Sequence, residues 1–461
     1  MKFNLFKQPI FIVIALCIAF SASFITAENK DTTYDGLKLF TDVIDIVEKN
    51  YVDEVDIEKL IHSAIQGMIR SLDPHSAFMP PEAFEELQID TQGEFGGIGI
   101  VITMKEGVLT VISPIEGTPA YQKGIKAGDQ IIKVDNASTK EMEMWEAVRK
   151  MRGPKGTKVV ITIAREGVKE PFDVTIIRDI IPIESVRSTS LEDGYGYVWI
   201  TNFRDKTTED FENALAQLEA ADPPLKGLIM DLRDNPGGLL DQAVKIADLF
   251  INSGNIVSIK GRSDDNTRVF KAQPDTVDRK YPIVILINGG SASASEIVAG
   301  ALQDTKRALI MGTASFGKGS VQTVEPLRDG YGLKFTIARY YTPNERSIQA
   351  QGIVPDIIVK SDIMEVEAVD KNGNRMLKEK DLKNHLEPEA LQQPSKNDDA
   401  SPQDDTTQTG SDDEESTNQS VPKRPEMRHG KLIASELLKD YQIHRALDVL
   451  KGFDILKQAN K

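Results

Sequence analysis

Three serines alternate with alanines where an apolar run gives way to a helical pattern, and a serine at such a turn can act as a nucleophile. The run is residues 283–287, and the turn contains Ser291-Ala292-Ser293-Ala294-Ser295-Glu296. A hydroxyl there would lie beside the free N–H groups and the dipole of a helix N-terminus, which stabilise an oxyanion. The alternative is that these serines only cap the helix, a common role for serine.

A lysine flanked by glycines is the second candidate for chemistry. Lys318 lies between Gly317 and Gly319, shortly after another apolar run. Glycines let the lysine approach another backbone closely, and burial beside a serine would lower the pKa of its amine. The neutral amine would then accept the serine proton. The alternative is an exposed turn lysine, which is what most lysines are.

The segment around Lys318 matches a nucleotide-binding loop only in part. Gly312, Gly317 and Lys318 fit the pattern G-x-x-x-x-G-K-[ST], but Gly319 stands where the metal-binding hydroxyl belongs. Residues 320–324 have a strand pattern, whereas that loop opens a helix. We therefore predict neither a nucleotide nor another cofactor.

The scarcity of histidine and cysteine narrows the chemistry further. No histidine lies within residues 181–360, and the single cysteine, Cys17, lies in an N-terminal apolar segment. A Ser–His–Asp triad would need a base from another domain, and no Cys/His cluster offers a metal site. The available bases are lysines and carboxylates. The five histidines are His62, His75, His385, His429 and His444.

The elements that must position these residues lie in a predicted α/β domain at 181–360. Apolar runs, among them 228–232 and 283–287, alternate with helical patterns, which predicts right-handed crossovers and a mainly parallel sheet. Ligands of such sheets bind beyond the carboxyl ends of the strands. The glycine-rich turns 233–238 and 288–293 follow these two runs and therefore lie at that edge.

Five further segments surround this domain. They are a signal peptide or membrane anchor at 1–27, a helical region at 28–90, a β-rich module at 91–180, an acidic low-complexity linker at 361–429 and a C-terminal helical segment at 430–461. The linker cannot bury enough apolar surface to order itself. The C-terminal segment has the amphipathic pattern of helices that dock on a body.

Charge and the N-terminus restrict partners and location. The net charge of −16 argues against binding to nucleic acid. Lys2 and Lys7 precede an apolar run at 10–20 and then small residues, which is typical of a secretory signal peptide. The run is short for a membrane span. We therefore predict an exported protein, and the sequence leaves open whether the signal is cleaved or kept as an anchor.

These motifs together resemble the carboxy-terminal processing (tail-specific) protease family. The resemblance rests on residues 291–296 and 316–322, in this order and separation, and extends to 231–238 and 71–76. It covers roughly residues 35–360. It implies a multidomain α/β protein: a crotonase-like α/β protease core with an inserted β-rich PDZ domain and helical N- and C-terminal segments.

The resemblance implies catalytic roles for three side chains. Ser293 would be the nucleophile, Lys318 the general base and Gln322 the residue that orients the lysine. Residues 318 and 322 would point to the same face of a strand, which suits that role.

The resemblance also implies an oxyanion hole of backbone N–H groups. Ala294 would supply one donor, and either Gly237 or Gly238 would supply the other, a choice that the sequence leaves open. Glu296 and Asp304 recur in the motif and would serve the architecture.

The PDZ domain would hold the substrate. Its glycine-rich loop would present N–H groups to a terminal carboxylate, the following strand would pair with an extended tail, and a helix at 140–151 would form the other wall of the groove. Arg152 would contact the protease domain and couple occupancy to activity. The alternative for the module is a spacer that only packs on the protease body. The alternative for Arg152 is an ordinary surface arginine. The loop residues are Gly96, Gly97, Ile98, Gly99 and Ile100.

The resulting prediction is a serine endopeptidase that cleaves proteins at or near their C-termini in the cell envelope. It would lie in the periplasm or on the periplasmic face of the inner membrane and act on protein substrates with exposed C-terminal tails. The sequence leaves open an adaptor or activator protein and a homo-oligomer. The alternative is a latent protease or a PDZ scaffold that needs a partner for activity.

Overall fold

The computed structural model of this chain describes residues 28–360 except 106, 141, 193, 275, 276 and 278, together with 377–387 and 432–459. The predicted signal or anchor at 1–27, with Cys17, and most of the predicted acidic linker lie outside the described residues. The chain divides into two compact units, Met1–Leu72 and Asp73–Lys461. Each unit is described by itself.

The first unit contributes two helices, α1 (Glu28–Asn50) and α2 (Ile57–Arg70). Asp56 caps α2, because its carboxylate accepts a hydrogen bond from the N–H of Lys59 at 3.1 Å. The helix ends at Ser71, where the sequence predicts a break. Across the described part of the chain, no helix combines the length and apolar character needed to cross a bilayer.

The second unit contains a β-rich module, an α/β core and C-terminal helices. In chain order the strands are β1 (Ala77–Met79), β2 (Glu94–Gly97), β3 (Ile100–Lys105), β4 (Val108–Pro114), β5 (Gln130–Val134), β6 (Ala137–Ser138), β7 (Lys158–Ala164), β8 (Phe172–Ile177), β9 (Asp179–Pro182), β10 (Val186–Glu192), β11 (Tyr195–Ile200), β12 (Gly227–Asp231), β13 (Asn255–Gly261), β14 (Arg268–Lys271), β15 (Ile283–Ile287), β16 (Leu309–Gly312), β17 (Ser320–Pro326), β18 (Gly332–Tyr341) and β19 (Ile357–Ile358).

Helices connect and cover these strands. They are α3 (Pro81–Gln92), α4 (Pro119–Gln122), α5 (Met144–Met151), α6 (Thr207–Glu219), α7 (Leu240–Asp248), α8 (Ala294–Asp304), α9 (Ala434–Leu437) and α10 (Tyr441–Ala459). Single 3₁₀ turns occur at Asp264–Asn266, Arg328–Gly330 and Glu379–Asp381.

The β-rich module is an antiparallel sheet in the order β3-β4-β5-β7-β8, with β3 at one edge. Alternate residues of β7, namely Val159, Ile161 and Ile163, are fully buried, as the period of a half-covered strand requires. Helix α5 begins later than the predicted 140, after a capping box between Glu143 and Glu146. Strands β2 and β9 pair with each other and form the ribbon that enters and leaves the module.

The α/β core is a six-stranded sheet in the order β10-β11-β12-β15-β16-β19. Strand β10 is antiparallel to β11, and the remaining pairs are parallel. Every residue of β12 and β15 is buried, because helices cover both faces of the sheet. The glycine-rich turns after these two strands meet at the carboxyl edge, which is the arrangement that the sequence predicts.

A second sheet is organised around the long strand β18. Strands β1, β13 and β17 are all antiparallel to β18, and β14 extends the sheet from β13. This sheet carries the segment after Lys318 and the end of β18 towards the N-terminus of α8.

The C-terminal helices pack on the face of the core sheet opposite α7 and α8. The residues that they bury are Leu437, Ile443, Ala446, Leu447 and Leu450, against Tyr195, Tyr197, Ile229, Val284, Leu286 and Met311 of the sheet. The amphipathic pattern in the C-terminal segment therefore corresponds to a face that docks on the body.

Candidate active site

Ser293 stands at the N-terminus of α8 in a strained backbone conformation, with φ 54° and ψ −114°. A positive φ costs a serine of order 1–3 kcal/mol, so surrounding contacts must hold it. The N–H of Ser293 donates to Glu296 Oε2 at 2.8 Å and supplies one such contact. A serine on a sharp turn between a strand and a helix is the arrangement of a nucleophile in α/β hydrolytic enzymes.

The two neighbouring serines are engaged with the backbone. Ser291 Oγ donates to the carbonyl of Leu232 at 2.7 Å, and Ser295 Oγ donates to the carbonyl of Asn235 at 2.9 Å. Both hydroxyls therefore fasten the turn after β15 to the turn after β12. Ser293 Oγ instead pairs with another side chain, which leaves it as the serine best placed for chemistry.

One of the predicted oxyanion residues, Gly237, lies directly against the serine. Gly237 has φ 101°, and a Cβ there would lie 2.8 Å from Ser293 Cβ and 2.9 Å from the nitrogen of Ala294, so only glycine fits. The N–H of Gly237 donates to Asn235 Oδ1 at 2.9 Å. The N–H groups of Gly238 and Ala294 find no acceptor among the described residues. Of the two glycines, Gly238 is therefore the one whose N–H is not already bound within the described structure.

Glu296 joins the serine turn to the lysine loop. Its buried carboxylate accepts hydrogen bonds from the N–H of Ser293 at 2.8 Å, the N–H of Lys318 at 2.9 Å, the N–H of Gly317 at 2.7 Å and Ser315 Oγ at 2.5 Å. Burial raises the pKa of Glu296 to about 7, while these donors favour its ionised form. One side chain thus binds both predicted catalytic residues through their backbone.

The amine of Lys318 is partly buried, and burial lowers its pKa from the ordinary lysine value. The positive charge of Lys334 lowers this pKa further, whereas the carboxylates of Glu379, Glu296 and Asp73 raise it. The net direction is downward, so the neutral amine needed for a general base is reached at a lower pH than for a free lysine.

The side chains of Ser293 and Lys318 are not hydrogen-bonded to each other within the described structure. Ser293 Oγ lies 3.0 Å from the hydroxyl of Tyr340, at the end of β18. Burial raises the pKa of Tyr340 to about 12, so the phenol stays protonated at neutral pH. The hydroxyl of Ser293 is therefore paired with tyrosine in this structure.

No hydrogen bond joins Gln322 to Lys318 among the described residues. Gln322 Nε2 donates to Ser320 Oγ at 2.8 Å and lies 3.5 Å from Thr336 Oγ1. The expectation that residues 318 and 322 share one face of a strand is wrong, because β17 begins only at Ser320 and the register shifts between Val321 and Gln322.

The charged residues of the turn after β12 serve the architecture. Arg233 makes a two-pronged ion pair with Asp231, with its Nη2 2.6 Å and its Nε 2.9 Å from the carboxylate oxygens. Its Nη1 donates to Asp440 at 2.9 Å and to Gln442 Oε1 at 2.7 Å. The buried pair therefore connects the active-site turn to the C-terminal helices.

The predicted carboxylate-binding loop lies at the start of the β-rich module. Gly96 and Gly97 belong to β2, Ile100 begins β3, and the N–H groups of Ile98 and Gly99 between them have no acceptor in the described part of the chain. Strand β3 has a partner on one side only in that sheet. A peptide strand could therefore add to its outer edge.

Arg152 lies at the foot of this module. Its guanidinium carbon is 4.8 Å from the ring centroid of Phe95, on β2. Its buried Nε has no hydrogen-bond acceptor among the described residues. The contact is with the ribbon that joins the module to the core.

Several residues of the site give no local signal in the sequence. Tyr340 reaches the serine only because β18 crosses to the end of α8. Glu379, which faces Lys318, belongs to the segment predicted as an acidic linker. His75 contacts Glu379, although the two residues are far apart in the chain.

Other features lie away from the site. A cavity of about 730 Å³ is lined by residues of α8, α10 and the start of β15, and none of the predicted site residues lines it. Over the described residues, no cluster of three side chains suited to a metal occurs.

Comparison with known families gives three matches along the chain. Residues 194–359 match the model of peptidase family S41, residues 96–176 match the PDZ domain, and residues 21–83 match the N-terminal domain of the activating protease CtpB. The three matches follow one another without overlap.

Curated relatives are similar over most of their length. The chain is 44% identical over 387 residues to a carboxy-terminal-processing protease of Bartonella bacilliformis, covering 84% of this chain and 88% of the relative. It is 38% identical to the carboxy-terminal processing protease CtpA of Bacillus subtilis, covering 72% and 70%. A solved photosystem II D1 C-terminal processing protease is 30% identical, with a TM-score of 0.41, over 73% of this chain and 95% of that one.

Proposed function

Because this chain belongs to the carboxy-terminal processing proteases, serine peptidases of family S41, we propose that it cleaves proteins at or near their C-termini with a Ser293–Lys318 dyad. Its substrates are proteins, and the PDZ domain holds their C-terminal tails. The site of action is the cell envelope. One observation carries the dyad assignment: the carboxylate of Glu296 binds the backbone of both residues at once.

The reaction begins when Lys318 takes the proton of Ser293 Oγ. The serine oxygen attacks the scissile carbonyl, and the N–H groups of Ala294 and Gly238 stabilise the oxyanion. The protonated lysine gives its proton to the leaving amine, which breaks the peptide bond and leaves an acyl-enzyme. Water, activated by the neutral lysine, then hydrolyses the ester. The lowered pKa of Lys318 supports this role.

Gln322 orients Lys318 when the dyad forms. In this structure its amide binds Ser320 instead, and Ser293 Oγ binds Tyr340. The observation favours a latent enzyme, which assembles its dyad when a substrate or partner engages. A several-fold rise in peptide cleavage on adding a separate C-terminal tail peptide is expected, and an activity that no tail peptide changes would argue for a constitutive enzyme.

The PDZ domain binds tails by adding a strand to the free edge of β3, with the terminal carboxylate at the N–H groups of Ile98 and Gly99. A tail peptide with a free carboxylate is expected to bind at least tenfold more tightly than its amidated form, since a charge-assisted contact is lost. Equal affinities would leave the module as a spacer.

Arg152 couples occupancy of the PDZ domain to the core through Phe95. The Arg152→Ala variant is expected to abolish activation by the tail peptide without abolishing its binding.

The finer assignments of fold and location complete the proposal. We assign the core to the crotonase-like arrangement, which the parallel strands β12, β15 and β16 and helices α7 and α8 support.

Export of the protein is supported by the basic and apolar character of residues 1–27. Recovery of the protein from the envelope fraction of cells tests this, and a wholly cytoplasmic protein would contradict it.

The test of the dyad is cleavage of unfolded casein by the full-length protein beside Ser293→Ala and Lys318→Ala. Both variants are expected to lose at least a thousandfold in kcat/KM, because each removes a group that reacts in the transition state. Lys271→Ala, which changes an exposed lysine on β14, is the matched control and should cleave as the wild type does. Cleavage by Ser293→Ala would show that the nucleophile is another residue.

A further inference from the structure

A short segment outside the peptidase match lies on the loop that carries Lys318. We call this segment, residues 377–387, the strap. Lys378 Nζ donates to the carbonyls of Ala314 at 2.7 Å and Ser315 at 2.8 Å. The N–H of Glu379 donates to the carbonyl of Phe316 at 3.3 Å. The strap therefore binds three successive carbonyls, those of residues 314–316, which are followed by Gly317 and then by the lysine.

The side chain of Glu379 holds the same loop from its other end. Its carboxylate is fully buried and accepts a hydrogen bond from Gln349 Nε2 at 3.0 Å. The Oε1 of Gln349 in turn accepts the N–H of Gly319 at 3.0 Å. Lys318 thus lies between two points that the strap fixes, one on each side of it in the chain.

A histidine from a distant part of the chain completes this network. His75 Nε2 lies 2.9 Å and 2.8 Å from the two oxygens of Glu379. The loop of His75 is itself built around Asp73, whose carboxylate accepts the N–H groups of His75 and Ser76 at 2.8 Å and 2.9 Å. A buried carboxylate is costly unless it is paired and hydrogen-bonded, so this network is a constructed site rather than chance packing.

We propose that the strap is a positioning element for the general base, in which Lys378 and Glu379 fix the loop of Lys318 and the Glu379 carboxylate sets the charge around its amine. This role rests on the proposed function of Lys318. It places a determinant of activity in a segment that lies outside the peptidase match and just before a stretch of acidic, low-complexity sequence.

Charged groups around the amine of Lys318 determine the direction in which its pKa moves when Glu379 is replaced. The amine of Lys318 is faced by Lys334 on β18, Glu296 on α8, Asp73 before β1 and Glu379 on the strap. Glu379 raises the pKa of Lys318 and Lys334 lowers it. Removing the negative charge of Glu379 therefore lowers the pKa of Lys318 and moves the acid limb of the rate profile to lower pH.

Two variants and a matched control separate positioning from general stability. Glu379→Gln removes the charge and keeps the volume, and Lys378→Met removes the two carbonyl contacts. Lys380→Met is the control, because this lysine lies in the same 3₁₀ turn, is exposed and has no hydrogen-bond partner among the described residues. The full-length proteins are compared by kcat/KM against pH and by thermal unfolding.

Glu379→Gln and Lys378→Met should change the pH profile of kcat/KM in different ways. Glu379→Gln is expected to shift the acid limb to lower pH and to reduce the plateau of kcat/KM about tenfold, since the network that holds Gly319 is weakened. Lys378→Met is expected to lose about tenfold at every pH with no shift of the acid limb. Lys380→Met should match the wild type in both respects.

Hydrogen exchange tests the positioning without relying on cleavage. Amide exchange in residues 312–322 is expected to become faster in Lys378→Met and Glu379→Gln, while residues 283–287 of β15 keep wild-type protection. If the wild-type protein cleaves nothing even with a tail peptide present, the proposed function fails, and the exchange comparison still decides whether the strap holds the loop.

Two results would contradict the proposed role of the strap. If both variants match Lys380→Met in exchange of residues 312–322 and in the pH profile, the strap is packing alone and the proposal is wrong. It is also wrong if exchange rises equally in β15, because that pattern reports global destabilisation. Should Glu379→Gln fail to fold, Lys378→Met decides by the same two measurements.

Discussion

The backbone of Ser293 sits in a region of φ that serine avoids, and its neighbours make the conformation obligatory. Glu296 binds its N–H, and Gly237 lies so close that a Cβ would collide with it. The strain stored here directs the hydroxyl out of the helix axis and towards β18. The proposed role of Ser293 as nucleophile therefore depends on backbone geometry as much as on side-chain chemistry.

In the proposed dyad, Lys318 replaces Tyr340 as the partner of the serine hydroxyl, so removal of the phenol hydroxyl should favour the dyad. Tyr340→Phe keeps the ring and deletes only the hydroxyl that lies 3.0 Å from Ser293 Oγ. A hydrogen bond between neutral groups contributes about 0.5–1.5 kcal/mol, so kcat/KM on a short peptide should rise roughly two- to tenfold. Steady-state assays measure this, and a large loss of activity would mean that the phenol assists the reaction instead.

Lys334 offers a pH test of the lysine assignment. Its positive charge lowers the pKa of Lys318, so Lys334→Met should raise that pKa. In the proposed mechanism the general base is the neutral amine of Lys318. Activity therefore appears only as the pH rises through the pKa of Lys318. The acid limb of kcat/KM should therefore move to higher pH. A shift in the opposite direction, or none, would point to a different base.

At the scale of elements, one carboxylate connects the two segments that carry the proposed dyad. Glu296 on α8 binds both the serine turn and the loop before β17. Glu296→Gln presents an amide to several backbone N–H groups, so an acceptor is lost and donors face each other. We expect a fall in kcat/KM of about a hundredfold or more, since unsatisfied buried groups cost about 1–3 kcal/mol each. An active Glu296→Gln enzyme would remove this residue from the positioning of the dyad.

Local patterns predict the elements well where packing is also local. The family assignment is confirmed by the comparisons. The apolar runs predicted at 228–232 and 283–287 correspond to β12 (Gly227–Asp231) and β15 (Ile283–Ile287), because a strand buried on both faces is continuously apolar. The two turns after them meet as expected, since parallel strands bring their carboxyl ends to one edge.

Contacts between distant segments leave no such pattern. Tyr340 reaches the serine through the pairing of β18 with β13 and β17, and a strand partner has no periodic signature in the sequence. Glu379 lies among residues whose composition predicts a linker, yet it is fully buried. For Gln322 the missing information was the start of β17 and its irregular register, which decide the face on which the side chain lies.

At the scale of the whole molecule, the C-terminal helices are joined to the active-site turn by Arg233. Asp440→Ala removes one of its two carboxylate partners, and we expect a loss of about 1–3 kcal/mol in the free energy of unfolding, seen as a fall in Tm of a few degrees. Asp448→Ala, in an exposed ion pair on α10, should change Tm little and serves as the control. Equal Tm values for the two variants would show that the apolar face alone secures the helices.

Residues 388–431 connect two segments that are each fastened to the same body. The strap is held through His75 and Gln349, and the helices that follow are held by their apolar face and Arg233. Cleavage of one peptide bond in this connecting stretch would thus yield a two-chain protein. Its two chains would dissociate on dilution, as the subunits of a heterodimer do. The cost of closing such a connection grows only with the logarithm of its length. The length and composition of this stretch can therefore change while the site stays assembled.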